Sequence, residues 1–294
     1  MNIFILLAIS MAAAQLGGIT KKLYTDTFGG YVPSHNICTS LTMLAGAVAL
    51  CVWNGEIAVS SFSFYLGTAF GLVTALSTVF TLKAMATGPW SYSTVIISMS
   101  TFIPALSGLL FWGESIEPLQ IVGMACMVGC ILFSTEFKKG EQKKSFVWLM
   151  YCAIAFVSVG LIGVMQKIHQ TSAYKNELGG FLVVAFIVGA VFSAVLAIFE
   201  MRKHSDTVIL NRIFTPVPLL WVVVCGVCTA ANHKLNLFLS GELDTVVFFP
   251  TVNGGGLVLT TICALLFFKE KLTKKQWVGM AFGVASVLLL CNYS

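Results

Sequence analysis

Apolar residues run in blocks of roughly 20 along this chain, the length that crosses a hydrocarbon core about 30 Å thick. Ten such spans are predicted, at 2–22, 34–53, 62–86, 91–113, 117–135, 146–168, 179–199, 215–239, 243–268 and 274–291. The connections between them are short, and none is long enough for a soluble domain. The longest polar links are Glu136 to Ser145, near the midpoint, and Met201 to Thr215. Five spans lie on each side of the midpoint link.

The two sets of five echo each other. Span 4 runs into Gly113-Glu114-Ser115-Ile116-Glu117-Pro118-Leu119-Gln120-Ile121-Val122-Gly123-Met124, and span 9 into Lys269-Glu270-Lys271-Leu272-Thr273-Lys274-Lys275-Gln276-Trp277-Val278-Gly279-Met280. Glu, Gln, Gly and Met recur at identical spacing. A weaker echo joins Gly18-Ile19-Thr20-Lys21-Lys22 to Gly163-Val164-Met165-Gln166-Lys167. An odd number of spans per half puts the halves in opposite orientations, which is the inverted-repeat plan of secondary transporters. The expected fold is therefore an all-α polytopic membrane protein of ten transmembrane helices. Residues 1–135 and 146–294 form the two inverted five-helix repeats, with 136–145 as a polar linker.

Composition agrees. The 294 residues are 57% hydrophobic and 10% charged, with a mean hydropathy of +0.91, against about 25% charged residues in soluble domains. A soluble enzyme, a nucleic-acid binder and a disordered regulator are excluded on this ground. Fourteen of the 17 lysines and arginines fall in the odd-numbered links, and only Lys167, Lys175 and Lys234 lie on the other side. The positive-inside bias places the odd-numbered links in the cytoplasm and both termini outside. Short links and short tails suit a bacterial plasma membrane.

The nine cysteines fall almost entirely within apolar runs. Cys126/Cys130 and Cys225/Cys228 lack the His or carboxylate companions of a metal site, so they read as packing residues and no metal or cofactor is expected. The first 15 residues lack the basic start of a secretory signal and read as an uncleaved first helix. There is no His-Glu-x-x-His, no phosphate-binding Gly-x-x-x-x-Gly-Lys-Ser/Thr loop and no Gly-x-Ser-x-Gly elbow, so no enzyme is expected.

The five-plus-five layout and the paired Glu-x-x-x-x-x-Gln-x-x-Gly segments resemble the drug/metabolite transporter superfamily, and its ten-helix EamA-type members in particular. Gly113, Glu114, Ile116, Gln120 and Gly123 match the family pattern in the first half. Glu270, Leu272, Gln276 and Gly279 match in the second, where Lys269 replaces the family glycine. The resemblance implies transport by that fold, and also cytoplasmic termini, against which the lysine bias is preferred here. Small multidrug relatives carry a membrane-embedded glutamate in their first helix, but span 1 has no acid, which weighs against proton-coupled cation export.

Ionisable groups within a bilayer are functional candidates by default. All twelve acids lie in links or at span ends, so the buried-leaning charges are Lys22, Lys83, Lys167 and Lys234. Snorkelling to the interface is the plainer reading of the first three. Lys234 belongs to Asn232-His233-Lys234-Leu235-Asn236, a patch too polar for lipid, with His233 able to titrate. Span 9 contains Pro250-Thr251-Val252-Asn253-Gly254-Gly255-Gly256, where local unwinding is expected to expose backbone to a ligand, unless the glycines serve close packing. Asn253 is the preferred ligand there. Its counterpart in span 4 includes Thr101 and Pro104. Pro104, Pro250, Gly254, Gly255 and Gly256 are the hinge candidates. Gln15, Gln166, Trp90, Tyr92 and Phe249 complete the substrate-binding set.

These readings converge on a secondary active transporter of a small polar metabolite, anionic or zwitterionic, working by alternating access. Its partners are that small molecule, a coupling proton or ion and the lipid bilayer; no nucleic acid is involved, and either a monomer or a homodimer fits. An aromatic cage for a quaternary ammonium, choline-like or drug-like amine is the alternative. A non-transporting scaffold or receptor is the alternative from another class.

Overall fold

The computed structural model describes residues 3–28, 31, 33–55, 57–88, 90–134, 146–203, 206–267 and 273–290, without the side chains of 90, 91, 264 and 267. Among these the chain is helical, with no strand. The helices are α1 (Ile3–Phe28), α2 (Ser34–Asn54), α3 (Ser61–Thr87), α4 (Trp90–Ser98), α5 (Phe102–Phe111), α6 (Pro118–Ser134), α7 (Phe146–Thr171), α8 (Leu178–Met201), α9 (Thr207–Ile213), α10 (Pro216–Glu242), α11 (Thr245–Phe267) and α12 (Lys274–Leu290). Short 3-10 turns stand at Met99–Thr101 and Lys175–Glu177. Eight helical segments among the described residues are long and apolar enough to cross a bilayer, α4 and α5 counting as one. Helices α6 and α12, 17 residues each, are at the short end of what spans the hydrocarbon core. The protein is a multi-pass membrane protein.

Four features depart from the sequence reading. Helix α1 runs past Lys21 and Lys22 to Phe28, because Tyr24 and Phe28 are buried in an apolar cluster with Ile37, Ala197, Ile213 and Val222. The link from Met201 to Thr215 is not simply polar. Asp206 accepts hydrogen bonds at 3.0 Å from the Val208 and Ile209 amides, the geometry of a helix N-cap, and it starts α9, whose Ile213 joins that same cluster. Helix α11 is continuous through Pro250 and the three glycines, so the unwinding expected there is not seen. Gly254 instead packs beside Ser286 and Met127. The interruption lies in span 4, at Met99–Thr101. Pro104 has no N–H to offer the Ser100 carbonyl four residues back, and the chain tightens to 3-10 pitch at that point.

The chain forms two compact units, each drawing on both halves of the sequence. The first comprises Met1–Ala75 and His169–Phe238. Without a hydrophobic force between helices in lipid, close approach depends on small residues. Accordingly Gly46 of α2 faces the Phe186 ring and the Gly226 carbonyl, and Gly71 of α3 lies on the backbone of Ala185 in α8. Polar bonds fix the same helices end to end: Asn36 Nδ2 donates to Glu200 Oε2 at 2.8 Å, and Ser40 Oγ to the Ala190 carbonyl at 2.9 Å.

The second unit comprises Leu76–Ile168 and Leu239–Ser294. Here α6 and α12 pack together, Gly123 beneath Leu290 and Gly279 against the Ser134 backbone, with the Phe133 and Phe282 rings stacked 5.5 Å apart. On α7, Gly160 receives Ile103, and Gly163 receives both Pro104 and Phe249. Leu110 and Phe111 at the end of α5 are 75% and 76% exposed, a surface suited to lipid rather than water.

Candidate functional site

The polar patch of α10 is resolved into three distinct arrangements within the first unit. Asn232 Nδ2 donates to the carbonyl and hydroxyl oxygens of Ser10 on α1, both at 3.0 Å. Ser10 Oγ donates in turn to Asn236 Oδ1 at 2.5 Å, and Asn236 Nδ2 reaches Asn232 Oδ1 at 3.4 Å. These three residues close a ring that joins α1 to α10. A buried amide or hydroxyl left unbonded costs about 1–3 kcal/mol, and this ring removes that cost for Asn232 and Asn236.

Lys234 turns the other way. Its ammonium donates to Asn54 Oδ1 at 2.5 Å and lies 4.6 Å from the centre of the Trp53 ring. Asn54 and Trp53 form the last turn of α2, where the helix dipole favours a cation. The charge is thus held by a helix end and an aromatic face.

His233, between them, has no such partner. Its ring stands edge-on to Phe70 of α3 and Phe186 of α8, with centroids 6.0 and 5.6 Å away. Its Nδ1 is buried with no hydrogen-bond partner among the described residues. The ring thus stands between two aromatic walls with its Nδ1 unbonded among the described residues.

The other candidates divide between the units. Gln15 is half-buried on α1, in the first unit. In the second, Gln166 and Thr101 are buried, Phe249 and Asn253 are half-buried, and Tyr92 faces outward. Thr101 Oγ1 is buried at the 3-10 turn with no hydrogen-bond partner among the described residues. Pro104 and Phe249 meet over Gly163. Pro250, Gly254 and Gly255 are buried within α11, and Gly256 is half-buried. Trp90 begins α4, but its side chain lies outside the described residues. Glu270 of the second motif lies outside them as well.

Sequence reasoning missed the carboxylates. Glu114, in the link after α5, turns its side chain inward to 5% exposure and pairs with Lys167 at 3.0 Å, itself 8% exposed. The Glu114 Oε2 accepts from the Thr245 amide at 2.8 Å, the Thr245 hydroxyl at 2.6 Å and the Val246 amide at 3.4 Å, which caps α11. Lys167 also donates to the Leu243 carbonyl at 3.1 Å. Lys167 therefore does not snorkel to the interface. In the first unit, Glu177 Oε2 accepts from the Ser60 amide at 2.8 Å and hydroxyl at 2.7 Å, just ahead of α3. Ser63 beside it bonds His169 Nε2 at 3.4 Å. The signal for Glu114 was the repeated Glu-x-x-x-x-x-Gln-x-x-Gly motif; its partners lie too far along the chain to be read from spacing. Lys83 lies 5.6 Å from the Phe80 ring and 5.8 Å from the Tyr151 ring.

No family model matches the chain. It is similar to the probable glucose uptake protein GlcU of Priestia megaterium, 22% identical over 289 residues, which is 94% of this chain and 87% of that protein. An uncharacterized protein of Haemophilus influenzae is 23% identical over 195 residues, 65% of this chain and 63% of the relative's own length. A solved crystal structure superposes with a TM-score of 0.75 at 15% identity, covering 98% of this chain and 99% of the other. At that identity the likeness concerns the fold alone. The chain thus combines a multi-pass helical fold with a likeness to an uptake protein along nearly its whole length.

Proposed function

We propose that this protein is a secondary transporter of a neutral, polyhydroxylated metabolite of the hexose type, working by alternating access. The observation that carries the substrate class is the occupation of its lysines. Lys167 is spent on Glu114, and Lys234 on Asn54 and Trp53. The anionic or zwitterionic substrate expected from the sequence rested on Lys22, Lys83, Lys167 and Lys234; Lys83 lies over the Phe80 and Tyr151 rings, and neither Lys167 nor Lys234 is left to meet a carboxylate. What remains in the first unit is an imidazole nitrogen between two phenylalanines, which suits a ligand bearing hydroxyl groups and C–H faces. The glucose uptake relative supports the same reading.

The ten-helix inverted-repeat plan, the EamA-type membership, the bacterial plasma membrane and the outward termini belong to this proposal too. So does the absence of a nucleotide-driven step, which leaves an ion or counter-substrate gradient to drive any uphill flux. The test is counterflow of radiolabelled D-glucose in proteoliposomes, with mannitol, lactate, phosphate and choline as competitors. Saturable glucose counterflow that is lost in His233→Ala supports the reading. Absence of glucose counterflow while radiolabelled lactate, phosphate or choline exchanges saturably in the same vesicles rejects the substrate class, and exchange of none of these compounds rejects transport of these classes altogether.

A further inference from the structure

We infer that α5 is a gate, hinged at the Met99–Thr101 turn and latched by Glu114. For its purpose the inference rests on the transporter reading; its test does not. All of the residues involved belong to the second unit. Helix α5 is ten residues long and is bounded at both ends by backbone that has left the α-helical pattern. At its start stand the 3-10 turn and Pro104, where the α-helical bond to the Ser100 carbonyl cannot form. Such mid-helix 3-10 stretches often mark hinges. At its end Gly113 adopts φ +65°, a backbone conformation that glycine takes without strain, and it folds the Glu114 amide back onto the Gly108 carbonyl at 3.2 Å.

Between these ends one face of the helix, with Pro104, Ala105, Ser107 and Gly108, is buried and packs against α11. It meets α7 at Gly160 and Gly163, where Ile103 and Pro104 lie over positions with no side chain, and its far end exposes Leu110 and Phe111. The directional restraint comes from Glu114. Its carboxylate ties the end of α5 to Lys167 on α7 and to the first two amides of α11. Gly108 makes room for this, since a Cβ there would run into the Glu114 carboxylate and the Thr245 hydroxyl. A buried ion pair is weak evidence for stability, because desolvation offsets much of its attraction. It is well suited to a contact that opens and closes.

Hydrogen–deuterium exchange of the detergent-solubilised protein tests this without any substrate. In the wild type, peptides within 102–117 should exchange at least ~tenfold faster than those within 147–160, which share a membrane environment but carry no latch. Glu114→Gln and Lys167→Met should each accelerate 102–117 and 243–248 further, leaving 147–160 unchanged. Pro104→Ala, which restores the missing amide, should slow exchange in 102–117. Equal protection of the two wild-type segments, or exchange in 102–117 that Glu114→Gln does not alter, overturns the gate. If glucose counterflow fails while these shifts appear, the substrate proposal falls and the gate stands. If counterflow succeeds and the shifts are absent, the reverse holds.

Discussion

Replacing Lys167 by methionine isolates the electrostatic half of the Glu114 cluster. At 3.0 Å the attraction between two unit charges is about 5.5 kcal/mol at an effective dielectric of about 20. Much of that is offset by desolvation, and breaking a buried pair costs about 3–5 kcal/mol because the surviving charge is stranded. Glu114 is not wholly stranded, since Oε2 keeps three donors at the start of α11, and a helix N-terminus contributes up to about 2 kcal/mol to a partly buried anion. The expected destabilisation is then about 2–3 kcal/mol, or roughly 5 °C in apparent melting temperature. Glu114→Gln/Lys167→Met removes both charges while leaving an amide oxygen for Thr245, and should lose only about 1 kcal/mol. The assay is thermal unfolding in detergent of the wild type, both single variants and the double variant. A double variant as unstable as the sum of the two singles would falsify the reasoning, because it would mean that the two side chains do not interact.

Three further outcomes follow from the packing. Gly71→Ala places a Cβ against the Ala185 backbone, which cannot rotate away, and should cost about 1–3 kcal/mol in the same melting assay. Gly18→Ala meets nothing within 4 Å and should be neutral, or stabilise by up to about 1 kcal/mol. Lys234→Met keeps an unbranched apolar stem over Trp53 and should leave the KM for glucose counterflow within about threefold, whereas a substrate anion held by Lys234 would lose at least about tenfold.

The helices were legible in the sequence because lipid imposes a length, and a block of about 20 apolar residues has few other meanings. Their ends were less so. Reading α1 as ending near Lys22 assumed that lysines mark an interface, but Tyr24 and Phe28 are buried through contacts with α2, α8, α9 and α10, and no local pattern announces them. The two prolines show the same limit. Pro250 and Pro104 both lie beside small or polar residues, yet the chain stays α-helical at the first and tightens before the second. Neighbouring groups decide which freed carbonyl is tolerated, and those neighbours come from other helices. The dense polar patch at Asn232–Asn236 was visible as polar, but its division into a closed ring, a held lysine and an unpartnered histidine depends on Ser10, Asn54, Phe70 and Phe186. Glu114 was visible only as part of a repeated motif. Its position in a link hid that Gly113 turns the carboxylate inward.

The two hydrogen-bonded link carboxylates suggest why a chain so apolar retains them. Leucine against leucine in lipid gains little over leucine against an acyl chain, so apolar packing alone fixes neither the axial position nor the rotation of a membrane helix. A carboxylate at a helix start does both, because the first amides of a helix point along its axis and present a partial positive charge. Glu177 does this for α3 through Ser60, and Glu114 for α11 through Thr245. The two differ in their other partners. Glu177, at the start of α8, is bonded by a hydroxyl and an amide from the residue ahead of α3, so releasing it uncouples those two helix ends. Glu114 is shared between α11 and the ammonium of Lys167 on α7, while its own backbone closes the turn after α5. Loosening that one carboxylate uncouples three helices at once. That is why the gate is placed at Glu114 and not at Glu177.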